Sequence, residues 1–163
     1  MSRPWCSASQ PTSHGFVFAL LLIASFATVA CSGTRPIDLG PSDQGLKPCP
    51  SSPNCVSSFA ADPEHFVSPF VLVVPPEQAW KAVQEVVTEL PRTTIVVERP
   101  NYLHAECKSR IFRFVDDLEI ELNASEGLIY VRSASRLGES DMGVNRERVN
   151  GIRDALRQRG VLD

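Results

Sequence analysis

Hydrophobic positions along the chain follow three rhythms. One is an unbroken apolar run from Gly15 to Ala30, GFVFALLLIASFATVA. A second is period-two alternation, the mark of a half-buried strand, which governs Thr93 to Glu98, Tyr102 to Lys108, Ile111 to Leu122 and Leu128 to Ser135. The third is a spacing of three and four, the mark of an amphipathic helix, which links Trp80, Val83, Val87 and Leu90, and again Val149, Ile152 and Leu156. The punctuation agrees with these segments. Pro75-Pro76 opens the first helix and Pro91 stops it, Arg99-Pro100-Asn101 and Asn123 to Gly127 supply turns, and Gly160 ends a helix near Asn145 to Arg159. The stretch His65 to Val74 reads as a further strand, which Pro69 assigns to a sheet edge. Strands that return through turns this short are antiparallel. The order strand, helix, four strands, helix predicts an α+β fold: a mostly antiparallel sheet of about five strands with two helices packed on one face.

Alternation also assigns faces. Leu103, Ala105 and Cys107 share one side of their strand, and Tyr102, His104 and Glu106 share the other. In the next strand Phe112, Phe114, Leu118, Ile120 and Leu122 oppose Arg113, Asp117, Glu119 and Glu121. Asp116 breaks the pattern, because its parity puts a carboxylate on the apolar face. An ionised group there needs a partner, and Arg132 or Arg136 of the following strand is the nearest by this reading. Asp116 and Asp117 point to opposite faces, so they do not form a paired acid and base acting on one atom.

Residues 1–30 contain one charged side chain, Arg3, and the apolar run has 16 residues where a spanning helix needs roughly 20. The run therefore reads as the core of an export signal. It ends in Thr28-Val29-Ala30-Cys31, which resembles the lipobox of bacterial lipoproteins, with Thr28 in place of the usual Leu. That resemblance implies cleavage before Cys31, lipidation of its thiol and a mature chain held to a membrane by its acyl chains. Ser32, standing where an Asp would retain the protein on the inner membrane, favours the outer membrane facing the periplasm. Residues 31–48, rich in Gly, Pro, Ser and Asp and without periodicity, are expected to be a flexible tether, followed by a single domain over 49–163.

Charge narrows the partners. With 16 Lys and Arg against 19 Asp and Glu, the chain lacks the basic footprint of a nucleic-acid binder. Loss of Arg3 with the signal leaves 15 basic against 19 acidic side chains, a net charge of −4, so charge alone does not bring it to an anionic membrane. Of five cysteines, Cys49 and Cys55 flank the turn-forming Pro-Ser-Ser-Pro-Asn and are expected to form a disulfide in an exported protein. One C-x5-C pair without further ligands makes a poor zinc site, and no cofactor motif is present. Cys107 reads as a small buried hydrophobe, although pairing with Cys49 or Cys55 stays open.

The chemistry concentrates between Arg132 and Arg148, which holds four Arg, three Ser and two Gly between a strand and a helix. Such a loop can gather guanidinium groups and backbone donors around an anion at a helix N-terminus. The opposing reading has the arginines pairing with Asp116, Asp117, Glu119 and Glu121 in a structural network. Ser133 and Ser135 near His104 lack a nucleophile elbow, which argues against serine catalysis. The sequon Asn123-Ala-Ser125 is incidental in a bacterial lipoprotein.

Five ordered motifs, Cys49-Pro-Ser-Ser-Pro-Asn-Cys-Val-Ser-Ser58, Tyr102 to Glu106, Phe114 to Glu119, Val131 to Arg136 and Gly138 to Arg146, resemble the family known as domain of unknown function 1499, over roughly residues 46–160. The resemblance implies a small, membrane-attached protein and marks His104, Glu106, Asp116, Asp117, Arg132, Ser133, Ser135, Arg136, Asp141, Asn145 and Arg146 as signature positions, but it carries over no reaction. The leading expectation is a non-catalytic envelope lipoprotein that binds a small anionic ligand or an envelope protein through these residues. The alternatives are an envelope hydrolase using His104 or Asp117 as acid or base, and a structural interaction protein.

Overall fold

A computed structural model describes residues 33–163. The expected signal and the lipidation cysteine, Cys31, lie outside the described residues. The elements are β1 (Cys55–Ser57), β2 (Phe70–Val71), α1 (Pro76–Glu89), β3 (Thr93–Arg99), β4 (Tyr102–Lys108), β5 (Val115–Asn123), β6 (Leu128–Ser135) and α2 (Val144–Gln158). The sheet runs β1-β6-β5-β4-β3, and β2 also pairs with β6; every pairing is antiparallel. Among the described residues no helix is long and apolar enough to cross a membrane.

The α+β architecture follows the hydrophobic rhythm. Leu103, Ala105, Cys107, Leu118, Ile120, Leu122, Ile129 and Val131 form one apolar face of the sheet. Against it α1 buries Trp80, Val83, Val86 and Val87, and α2 buries Val149, Ile152 and Leu156. Each large side chain so buried contributes roughly 1.5–3 kcal/mol, and this core holds the helices on the sheet. Val161 and Leu162 close the end beyond α2.

Three expectations need correction. The stretch His65 to Val74 is not one strand: only Phe70–Val71 pairs with β6. Pro69 interrupts the ladder, Arg153 takes the Ser68 and Pro69 carbonyls, and Leu72 and Val73 donate instead to Gly127 and Val161. Cys55–Ser57, which the hydrophobic rhythm assigns to no element, is the edge strand β1. The alternation of Phe112 and Phe114 does not bury them; they are 69% and 42% exposed. The chain between Ser109 and Phe114 closes on itself through Ser109 N–H to the Phe114 carbonyl and Phe114 N–H to the Ser109 hydroxyl, and Arg113 has φ of 56°. The left-handed backbone at Arg113 ends strand geometry, so β5 starts at Val115.

The segment before Cys49 is also not a free tether over 35–46. Ser42 and Gly45 exchange backbone hydrogen bonds, Leu46 is 1% exposed, and a Cβ added to Gly45 would collide with the Phe59 ring. Gly45 has φ of 85°, so both space and backbone call for glycine there. This segment lies on the sheet face opposite the helices. The Cys49–Cys55 disulfide, with Cα atoms 5.6 Å apart, fastens its end to β1, and Cys107 is a free buried thiol.

Candidate functional site

Strand register builds two polar clusters on opposite faces of the same three strands. In β5 and β6, Asp117 lies across from Ala134 and Glu119 from Arg132; in β4 and β5, Glu106 lies across from Asp117 and His104 from Glu119. Side chains across a pair share a face, so Tyr102, His104, Glu106, Asp117, Glu119, Arg132 and Arg136 converge on the outer face. Asp116, Ser133 and Ser135 point the other way, toward α2.

On the outer face, Arg136 donates to Asp117 through Nε (2.8 Å to Oδ2) and Nη2 (2.7 Å to Oδ1), and Nη2 also reaches Glu106 Oε1 at 2.6 Å. His104 Nε2 donates to Asp117 Oδ1 at 2.7 Å, and Arg35 adds Nε to Glu106 Oε1 at 2.6 Å. The side chains of His104, Asp117 and Arg136 are only 4%, 3% and 5% exposed. Burial pushes the Asp117 carboxyl up, but the hydrogen bonds from Arg136 and His104 outweigh it and leave it below its ordinary range. The Arg35 hydrogen bond, joined by Arg136, likewise holds Glu106 low. Beside this group Glu119, fully buried, accepts from Tyr102 Oη (2.9 Å), Arg132 Nη1 (3.1 Å) and the Gly40 N–H (2.9 Å). Burial, together with the Glu119 charge, raises the Tyr102 phenol well above its usual value, so it stays a donor.

On the inner face Asp116 has a partner, but not the expected one. Arg148 of α2 donates Nη2 to Asp116 Oδ2 at 2.6 Å and Nη1 to Ser133 Oγ (2.8 Å) and Asn145 Oδ1 (2.5 Å). Arg132 and Arg136 cannot serve, because their parity puts them on the other side of the sheet. Ser133 donates to Asn145, whose Nδ2 donates in turn to the Asn54 carbonyl and Ser135 Oγ. Asp141 and Arg146 join neither cluster. Asp141 accepts the N–H groups of Gly143 and Asn145 at the start of α2, and Arg146 binds the carbonyls of Glu64 and Phe66. Asp116 and Asp117 are splayed to opposite faces, as alternation requires.

The expected signature residues thus divide into an outer group (His104, Glu106, Asp117, Arg132, Arg136), an inner group (Asp116, Ser133, Ser135, Asn145) and two separate ties. Sequence reasoning missed Arg148, Arg35, Tyr102 and Asn54 as members. The signal for Arg148 was present: it falls one turn after Asn145 and next to Val149, on the stripe that faces the sheet.

Open space lies at the end of the sheet where β4 finishes and β5 begins. A cleft of about 390 Å³ is lined by Leu90, Pro91, Arg92, Thr93, Cys107, Lys108, Ser109, Arg110, Val144, Glu147 and the Asp116–Arg148 pair. Among the described residues Arg92, Lys108 and Arg110 have no carboxylate partner. Burial pushes the Cys107 thiol up, which keeps it protonated and a poor nucleophile. A second cleft, about 460 Å³, lies at the opposite end. Its cations are committed: Arg153 sits over the Phe70 ring and holds Ser68, and Arg157 holds the Asp163 carbonyl. Among the described residues no cluster of three or more His, Cys, Asp or Glu is placed to hold a metal ion.

No curated protein matches the chain. The family described as Protein of unknown function (DUF1499) matches residues 45–156, which take in β1 to β6 and nearly all of α2, and the chain belongs to that family.

Proposed function

We propose that this chain is a lipid-anchored cell-envelope protein, held through Cys31 and facing the periplasm from the outer membrane, whose domain is a non-catalytic binding module for a small anionic ligand. The ligand site we assign is the 390 Å³ cleft, in place of the Arg132 to Arg146 segment. The observation that carries this reading is a contrast in how the cations are used. Arg132, Arg136, Arg146 and Arg148 are spent on internal acceptors, whereas Lys108 and Arg110 meet at a concave site of ligand size without a carboxylate partner, beside Arg92, which gives only its Nε to the Lys108 carbonyl. Leu90, Pro91 and Val144 give the cleft an apolar wall, so an anionic head carrying a short hydrocarbon body suits it best. The hydrolase reading loses its support, since His104 and Asp117 are buried and saturated by Arg136 and by each other.

The test is a thermal melt with two probes, inorganic phosphate and hexyl phosphate. A ligand at 100 times its Kd stabilises by about 2.7 kcal/mol, enough to raise the midpoint of a domain this size by roughly 10 °C. Hexyl phosphate is expected to give the larger rise, and the double variant Lys108→Ala/Arg110→Ala is expected to lose it while keeping its ligand-free midpoint. Equal rises in wild type and double variant, or none with either probe at millimolar concentration, would overturn the assignment.

A further inference from the structure

The end of the domain that carries the cleft also carries a cluster of exposed apolar side chains. Ile111 is 77% exposed, Phe112 69% and Met142 93%, and the rings of Phe112 and Phe114 stack with centroids 5.6 Å apart. Burying these groups would stabilise the chain, and the fold leaves them in water. Arg110 and Arg113 alternate with them along the loop between β4 and β5. Apolar and aromatic tips interleaved with arginines match the chemistry of a bilayer interface, where rings enter the acyl boundary and guanidinium groups meet phosphates.

The position of the N-terminal segment identifies the occupant. Gly33 packs so closely on the chain just after β6 that an added Cβ would lie 2.9 Å from the Arg136 Cβ and 3.2 Å from the Leu137 Cγ. The Arg136 N–H bonds the Val115 carbonyl, so Gly33 lies beside the point where the β4–β5 loop rejoins the sheet. The chain therefore reaches the domain beside this loop. One residue, Ser32, separates Gly33 from Cys31, and the two chain steps between them span at most about 7 Å. A lipid on Cys31 would enter the bilayer next to Phe112 and Phe114 and far from the β5–β6 turn at the other end of the sheet.

We propose that the β4–β5 loop is a second membrane contact: Ile111, Phe112 and Phe114 seat in the same bilayer leaflet that holds the Cys31 lipid, with Arg110 and Arg113 on its phosphates. This rests on the lipid-anchor reading. The acyl chains on Cys31 hold the chain to the membrane, and an apolar and basic loop beside them fixes how the domain sits on the leaflet. The contact is local, since the mature chain is acidic overall. The neighbouring acids do not oppose it equally: Asp141 is turned onto the amides of α2, which leaves Glu139 as the exposed carboxylate of the adjoining loop. It also sets the mouth of the cleft at headgroup level.

Full-length protein purified from its host membrane and reconstituted into vesicles of phosphatidylethanolamine and phosphatidylglycerol tests the proposal, with palmitate labelling read in parallel. Phe112→Trp and Val71→Trp report the two ends, Val71 being 54% exposed and paired with Leu128 beside the far turn. With brominated acyl chains, the Phe112→Trp signal above the parent protein should fall by about half, and the Val71→Trp signal should hold. Palmitate incorporation with neither position quenched would overturn the membrane contact and leave the anchor standing. Failure to incorporate palmitate and to float with the vesicles would overturn both. A Phe112→Trp blue shift that follows protein concentration, without quenching, would assign the loop to a second copy of the chain and overturn the proposal.

Discussion

Replacing Arg136 with Ala separates a structural network from a ligand site. The guanidinium makes three hydrogen bonds to two carboxylates, and Asp117, whose side chain is 3% exposed, would keep only His104 as a side-chain partner. Removing one member of a buried ion pair costs about 3–5 kcal/mol, because the remaining charge is left without compensation. With an unfolding entropy of roughly 2.1 cal/mol/K per residue, the 131 described residues give about 0.28 kcal/mol/K. The melting midpoint, read by calorimetry or circular dichroism, should therefore fall by roughly 11–18 °C. Arg35→Ala is the internal control: its side chain is 54% exposed, and such a pair is worth about 1 kcal/mol or less. Asp117→Asn should rescue part of the loss, with a coupling of about 2–3 kcal/mol across the double-mutant cycle. A fall below about 4 °C for Arg136→Ala, or a coupling near zero, would refute the reasoning and return Arg136 to the candidates for ligand recognition.

Acid should act through the same network. Asp117 and Glu106 have folded-state carboxyls below their ordinary values, so their contribution is present above the unfolded pKa of about 4 and is lost as pH falls through the folded values. The midpoint should drop steeply below about pH 4, and less steeply in Arg136→Ala. His65 runs the other way. The Asp62 hydrogen bond raises it, so its contribution is full below about pH 6.5 and fades as pH rises through the folded value, a decline that His65→Gln should abolish in a midpoint-versus-pH series. Loss of the short Cys49–Cys55 loop in the double serine variant should cost about 2 kcal/mol by chemical denaturation, and an undiminished stability would count against the pairing. Cys107, 3% exposed, should alkylate with iodoacetamide only at the rate of unfolding.

Much of the fold was legible because its signals are local. Alternation at Leu103, Ala105 and Cys107 and the helical stripe Val149, Ile152, Leu156 each specify a buried face without help from distant residues. What was not legible depends on non-local cover. Tyr102, His104 and Glu106 read as a solvated strand face, yet residues 35–46 cover that face although Leu46 is their one fully buried aliphatic side chain, Leu39 being half-buried and Ile37 exposed. The compensating charges were the available hint: the hairpin register sets Glu119 across from Arg132, and a matched pair at mid-strand calls for a lid or for water. Asp116 announced itself as an anomaly, but its partner Arg148 lay across the sheet-to-helix interface, where strand parity carries no information. Phe112 and Phe114 show the reverse error, since alternation records spacing and not burial.

The strap formed by residues 35–46 changes what a pull on the N-terminus does. A loose string would stretch before the domain felt any load. Here the load passes within a few residues to Arg35 and Glu106, and through the Gly40 amide to Glu119, before the disulfide stops it at β1. Tension on the leader would thus pry at the ionic layer first and strip cover from the buried carboxylates of Asp117 and Glu119. A recombinant product started at Cys49 would begin life in that stripped condition, with its charged layer open to solvent from the outset.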